Sequence, residues 1–450
     1  MTPTNFDYDL FVIGAGPGGL AAAERAAGYG ARVAIAEQDQ VGGTCVVHGC
    51  IPEKMMAYAA SFSRFFKNAD EYGWGKVFEN FDWCQFMANR NRDIKHLSQV
   101  HQHHLQTAGV ELLQGHAQFL DAHTVEIEGH QYTSDKILIA VGGKAVKPEN
   151  IPGVEYASTT RELLNLEQQP EHLAIVGSNH IAVKLAGIMN GLISKVTLVV
   201  PNNQILPSCD RDLQTTIQEG MSQQGIRICC NSQVKKIELA QSCLNLFISC
   251  DDEPTTVETI VFVTGRIPNL EGLGLENVEV EVKEDAIVVD DYSRTTQSNI
   301  FAVGDCTPRP HWTPVAIAAG RAFADTEFGK SPRAVSYEHI PYVVASGPEA
   351  ATIGLTEAQA REQIGEAIHC YRKKFQPLFN LIGESSQEAM LKLVVDSSTD
   401  RILGAHMVGE YAAEVIQMFA PAMKAGVTKQ HFDTAIGIHP SISEEFFTLR

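Results

Sequence analysis

The chain has 450 residues, with 35 Lys plus Arg against 54 Asp plus Glu and a formal net charge of −19. A field of that sign repels polyanions and excludes a nucleic-acid or anionic-membrane binder, and no apolar run reaches the roughly 18 residues of a membrane span. Ten cysteines in 450 residues are too sparse for a disulfide scaffold. The opening MTPTNFDYDLFVIGAG shows no basic segment or cleavage site ahead of its strand pattern. The expectation is a soluble, cytoplasmic, multidomain protein. In chain order, residues 9–13 form a short apolar run, followed by GAGPGG, an alanine-rich stretch over 20–27 and a second apolar run over 32–36. This reads strand, glycine turn, helix, strand, the opening of a parallel sheet. Residues 137–143 (ILIAVGG) predict a buried strand ending in a glycine turn. A second unit like the first spans 172–200: HLAIV, GSNHIA, a helix through Ile188, then KVTLVV. Buried strands are predicted again at 260–268 (IVFVTGRIP) and 300–305 (IFAVGD), the latter leading to a helix in TPVAIAAGRAFADTEF. Past a boundary at Pro332 come strands at PYVVAS and KLVVDS and helices near 356–364 and 412–425. No low-complexity tract or short repeat occurs. The fold class is α/β: two Rossmann-like nucleotide-binding domains plus an α+β C-terminal domain.

Gly14, Gly16 and Gly19 fit GxGxxG directly between a strand and a helix. The first glycine permits the tight turn, the second lets backbone approach a pyrophosphate, and the third packs helix on strand. Glu37 ends the next strand, where an acid holds a ribose hydroxyl. GGTCVVHGCIPEK then carries Cys45 and Cys50. A helix beginning near Cys50 would lower a thiolate's pKa through its positive end. Near the C-terminus, GIHPSISEEF places His439 five residues before Glu444. A histidine held by a carboxylate suits acid/base work on a thiol, although a lone histidine is more often structural.

Together, GGTC(x4)CxPxK, the AVGD strand, TPVAIAAGR and IHPxxxEE resemble the glutathione reductase branch of the class I flavin disulfide reductases, from about Asp7 to Arg450. The resemblance implies an FAD-binding domain over 1–150, an NAD(P)-type domain over 151–265, a central segment over 266–334 completing the FAD domain, and an interface domain over 335–450. It also implies a homodimer. Cys45 matches the thiol that exchanges with the disulfide substrate, and Cys50 the thiol facing the flavin. His439 and Glu444 would come from the partner subunit. Thr44, Lys54, Asp305 and Thr313 match flavin-side positions, and Gly115, His116 and Ala117 would lie by the adenine.

Several positions depart from that branch. In GSNHIA, Gly177 and Ala182 are kept, but Asn179 stands where the middle glycine belongs, and its Cβ obstructs a pyrophosphate. His180 replaces a nicotinamide-gating tyrosine, and Pro201 and Pro207 replace two arginines that grip a 2′-phosphate. Losing two charged hydrogen bonds, about 1.5–3 kcal/mol each, weakens binding by roughly a hundredfold or more. A lysine and a glutamate that pair in the branch are here Glu53 and Lys184, a matched exchange of sign that would keep an ion pair with reversed polarity. On the substrate side Arg321 is kept, but Glu24 replaces a carboxylate-binding arginine, Pro17 a small polar residue and His101 a tyrosine. Attraction for glutathione's carboxylates becomes repulsion, favouring a less acidic or cationic disulfide.

His96, His101, His103 and His104 crowd one segment; a solvated helical face is expected rather than a metal site. Cys229 and Cys230, and likewise Cys84, Cys209, Cys243, Cys250, Cys306 and Cys370, show no ligand spacing and are expected in the core. Three uses stay open. The first is an NAD(P)H-dependent disulfide reductase with a changed substrate. The second is the same disulfide chemistry exchanging electrons with a small redox protein or a quinone. The third is a non-enzymatic flavoprotein that senses redox state or scaffolds a partner; the complete cysteine pair and C-terminal dyad count against it.

Overall fold

The structure, a computed structural model, describes residues 6–75, 80–382 and 386–450. Residues 1–5, on which the reading of the opening partly rests, lie outside these. The chain divides into two compact units: one of residues 1–54, 84–146 and 265–337, the other of residues 55–83, 147–264 and 338–450.

The first unit is built on a seven-stranded sheet. Tyr8–Ile13 lies between Val33–Glu37 and His130–Ile139, parallel to both, and Glu111–Gln114 and Ile300–Ala302 extend the parallel part. Val33–Glu37 is buried throughout, as a parallel strand covered on both faces must be. The helix Pro17–Gly28 starts earlier than the alanine run suggested, because Pro17 suits the first helical position. Its neighbour is the helix Thr313–Glu327. A side chain at Gly320 would clash with the Gly18 carbonyl, so only glycine lets these two backbones approach so closely. The strand expected over 260–268 is divided. Thr259–Phe262 belongs to the second unit's sheet, while Arg266–Pro268 pairs antiparallel with Gly143–Ala145 in the first. The break falls at Gly265, in keeping with glycine's poor fit to strand interiors.

The second unit holds a parallel sheet in the order Arg227–Cys229, Lys195–Val199, His172–Val176, Thr259–Phe262. It also holds a three-stranded antiparallel sheet and a five-stranded antiparallel sheet that contains Tyr342–Ser346 and Ala389–Asp396. The helices Glu357–Ile364 and Ala412–Lys424 fall where expected. Among the described residues no helix is long and apolar enough to cross a membrane.

A buried ionic cluster ties the early and late parts of this unit together. Lys392 Nζ donates to Asp210 (2.9 Å), Asp212 (2.6 Å) and Glu357 (2.8 Å), and Lys392 and the Asp210 side chain are each 1% exposed. Removing the cation strands a buried carboxylate. Lys392→Met is therefore expected to cost about 3–5 kcal/mol in urea unfolding. The hydrogen bond from Lys392, and then Arg361, hold the Glu357 carboxyl down at about 2 against an ordinary 4.5. The unfolded chain takes up this proton more readily than the folded one. The contribution is thus full above pH 4.5 and is lost as pH falls to about 2.

Candidate functional site

The two nucleotide-type turns can be compared atom for atom. At the first, Gly14 has φ +104, and a side chain at Gly19 would clash with the Gly14 carbonyl. Gly16 caps the helix Pro17–Gly28 at φ −79, ψ −179 with no side-chain hydrogen bond, and a Cβ there would meet nothing within 4 Å. No side chain of the cap residue takes up the helix amides, as an anion seat requires. Glu37 is buried at the strand end, and its oxygens accept from Ala15 N and Asp39 N, both at 2.8 Å. Burial raises its pKa, and these backbone donors oppose the rise. Each oxygen keeps a lone pair for a ribose hydroxyl. Gly115 N donates to Glu37 O (2.8 Å), which brings Gly115, His116 and Ala117 to the same strand end. These residues fit an FAD dinucleotide. Glu37→Ala is expected to weaken flavin retention about tenfold or more, measured by release of flavin fluorescence on dilution.

The GGTC turn leans on this cradle: Gly42 N donates to Ala15 O, and a side chain at Gly43 would meet Gly16 Cα at 2.8 Å. Thr44–His48 forms a wide π-type turn, and the helix Cys50–Asn68 follows. Cys50 sits at its first position, with Sγ 3.6 Å from Thr313 Oγ1 at the start of the helix Thr313–Glu327. Two helix N-termini thus converge on one thiol, the setting that favours a thiolate. Hydrogen bonding to Cys50, then burial, push the Cys45 thiol far above its ordinary range. Cys45 consequently needs a base before it can attack a disulfide. Asp305 is half-buried and accepts from Arg266 at 3.4 Å. Lys54 is exposed and Glu53 half-buried in the first turns of the Cys50 helix.

The second turn has the same backbone and a different content. Asn179 caps the helix His180–Gly191 at φ −79, ψ 174, within a few degrees of Gly16. Its Oδ1 accepts from Ile181 N and Ala182 N, both at 3.0 Å, and its Nδ2 donates to Val263 O at 2.9 Å. The amides that would hold a pyrophosphate are satisfied by the protein's own side chain. Gly177 (φ +154) keeps the tight turn. Burial, reinforced by Lys184, lowers the His180 pKa to about 4, so its ring is neutral at physiological pH. Lys184 is half-buried one turn on. Pro201 and Pro207 are exposed, and the loop 201–210 between the strand and the next helix contains no Arg or Lys. The residues present do not fit a 2′-phosphorylated dinucleotide.

In the C-terminal segment, His439 is exposed and its Nδ1 lies 3.0 and 3.1 Å from the two oxygens of Glu444. A hydrogen on Nδ1 donated to this carboxylate leaves Nε2 to accept a proton. On the first unit, burial lowers the His101 pKa, and the Glu24 charge opposes that. Arg321 is exposed on the helix Thr313–Glu327. His101 and His104 stack edge to face at 6.2 Å, and among the described residues no group of three or more metal-ligating side chains occurs. The core reading of the remaining cysteines needs correction. Cys209, Cys229 and Cys306 are buried, Cys230, Cys243 and Cys370 half-buried, but Cys84 and Cys250 are exposed. Cys84 lies on the outer face of its helix's first turn, and Cys250 in a turn past a strand end.

The family model for pyridine nucleotide-disulphide oxidoreductases matches residues 8–320, and that for the dimerisation domain of the same enzymes matches 340–450. The chain belongs to the pyridine nucleotide-disulphide oxidoreductase family. Within this family it is 50% identical to glutathione reductase of Nostoc sp., covering 99% of this chain and 100% of that one. It is 40% identical to glutathione reductase of Burkholderia cepacia over 99% of each. Among solved structures, the HOCl-induced flavoprotein disulfide reductase RclA of Escherichia coli superposes with a TM-score of 0.88 at 28% identity, covering 98% of this chain and 99% of that one. The protein is thus a flavin-dependent disulfide oxidoreductase of the glutathione reductase type, with FAD as its cofactor and the family's dimerisation domain at its C-terminal end.

Proposed function

We propose that this flavoenzyme exchanges dithiols and disulfides through Cys45 and Cys50 in a homodimer, takes a cationic or weakly acidic disulfide in preference to glutathione disulfide, and does not draw its electrons from NAD(P)H. Residues 1–150 with 266–334 hold FAD, 151–265 form the nucleotide-type domain, and 335–450 join the two copies. The contrast between the bare Gly16 cap and the Asn179 cap carries the part about electrons. The exchange of attraction for repulsion at Glu24 carries the part about substrate.

FAD, when bound, supplies the two-electron exchange that restores the Cys45–Cys50 dithiol. The rest is done by side chains. His439 of the partner subunit takes the Cys45 proton at Nε2, with Glu444 steadying the resulting imidazolium through Nδ1. The Cys45 thiolate attacks one sulfur of the substrate disulfide, and the departing thiolate collects that proton. The Cys50 thiolate then attacks the Cys45 sulfur, closing the Cys45–Cys50 disulfide and releasing the second substrate half as a thiolate, which takes a proton from solvent. The reducing equivalents come from a protein dithiol or a quinol.

Single-turnover oxidation of the dithiol-reduced enzyme tests the substrate. Cystamine, which is cationic, is expected to react about tenfold faster than glutathione disulfide, and a preference for glutathione disulfide would overturn the assignment. The second reading, an NADPH-dependent glutathione reductase with a relaxed nucleotide site, is favoured by the 50% identity to the Nostoc enzyme across both chains.

A further inference from the structure

A second pair of cysteines meets far from the first in sequence. Cys229 ends the edge strand Arg227–Cys229, and its side chain packs among Leu244, Leu246 and Ile248 of the strand Cys243–Ile248. Cys250 lies two residues beyond that strand, in the turn leading to Thr255–Val257. Arg227 fastens this turn to the edge strand: Nη2 donates to the two oxygens of Asp251 at 2.5 and 2.6 Å, and Nη1 donates to Thr255 Oγ1 at 3.2 Å. Cys250 Sγ in turn lies 3.7 Å from Asp251 Oδ1. Arg227 and Cys229, two residues apart and so on one face of the strand, thus look onto the turn that carries Cys250, and the Cys250 charge acts on the Cys229 thiol. The neighbouring Cys230 points the other way along the strand, towards Gln218 (4.0 Å).

We propose that Cys229 and Cys250 are a second disulfide-forming pair, oxidised by low-molecular-weight disulfides and separate from the Cys45–Cys50 pair. Cys250 is exposed and Cys229 is 7% exposed, which sets the order of events. The Cys250 thiolate attacks a disulfide RSSR, forming Cys250–S–S–R and releasing RS−. Cys229 then attacks the Cys250 sulfur, its proton passing to solvent, and the second RS− leaves. Two protein thiols are oxidised and one disulfide is reduced to two thiols. Burial pushes the Cys229 thiol up to about 12, so it does not compete for the first attack. Its position beside Cys250 offsets its low thiolate fraction in the second step. Once formed, the bond clips the edge strand to the turn that Arg227 already holds. The pairing is independent of which electron donor or substrate the enzyme uses.

The test uses the FAD-loaded full chain, reduced and then exposed to bis(2-hydroxyethyl) disulfide, an uncharged probe. After alkylation and tryptic digestion without reductant, mass spectrometry is expected to find two disulfides, Cys45–Cys50 inside one peptide and Cys229–Cys250 joining two. The second link is expected to persist in Cys230→Ser and Cys243→Ser, which share peptides with the pair, and to vanish in Cys250→Ser while Cys45–Cys50 remains. Full alkylation of Cys229 and Cys250 in wild-type protein whose Cys45–Cys50 pair is oxidised would overturn the proposal. So would a link that requires Cys230 or Cys243.

Discussion

Asn179→Gly is expected to tighten NADPH and NADH binding by about tenfold to a hundredfold, since a charged hydrogen bond contributes about 1.5–3 kcal/mol and two amides are released. Ile181 N and Ala182 N, now bonded to the Asn179 carboxamide, would lose their side-chain cap and match the uncapped amides behind Gly16. The fold should tolerate the change, because replacing an Asn cap by Gly costs only about a few tenths of a kcal/mol. The gain should be the same for both nucleotides: Pro201 and Pro207 still offer nothing to a 2′-phosphate. Titration calorimetry measures it. Unchanged affinity in the variant would mean that the carboxamide moves aside for the ligand and is no obstacle.

The second large effect concerns the first cysteine pair. Cys45→Ser and Cys50→Ala are each expected to lower disulfide turnover roughly a thousandfold or more, since the two thiols act as one unit. They should differ in what remains. Cys45→Ser keeps Cys50 beside Thr313 and two helix N-termini, so a long-wavelength thiolate-to-flavin band should appear without any reductant. Cys50→Ala removes the largest cause of the raised Cys45 pKa. Its Cys45 should therefore ionise at lower pH than in a reduced wild-type pair, and the pH midpoint of iodoacetamide labelling should fall. A midpoint that stays in place or rises would mean that burial alone governs Cys45.

Much of this site could be read from the sequence because its signals are local. Gly14, Gly16 and Gly19 lie within one turn and Glu37 ends the adjoining strand, so strand, turn and acid were predictable from spacing. The same holds for Cys45, Cys50 and the helix that starts at Cys50. The obstruction at Asn179 was legible as an added Cβ. Its actual form, a carboxamide bonded to the helix amides, was also within reach, since Asn is a preferred helix cap. What sequence could not give depends on distant chain segments. Cys229 ends a strand of the parallel sheet and Cys250 lies in a turn of the three-stranded antiparallel one, brought near each other by Arg227 with no motif to announce them. The strand over 260–268 reads as one apolar run, yet its ends serve different units because Gly143–Ala145 offers a partner to Arg266–Pro268. The Lys392 cluster joins side chains from three separated segments, and nothing near Lys392 in sequence foretells it.

The Asn179 carboxamide occupies the amides of the second dinucleotide turn, and the proposed function has the flavin take its electrons from a donor other than NAD(P)H. Anaerobic titration of the purified yellow protein with NADPH, then NADH, then a dithiol such as dithiothreitol tests it most directly through flavin absorbance. No change is expected with either nucleotide at millimolar concentration, and the long-wavelength thiolate-to-flavin band should form promptly with the dithiol. Rapid formation of that band with either nucleotide would contradict it and restore an ordinary nicotinamide-dependent reductase.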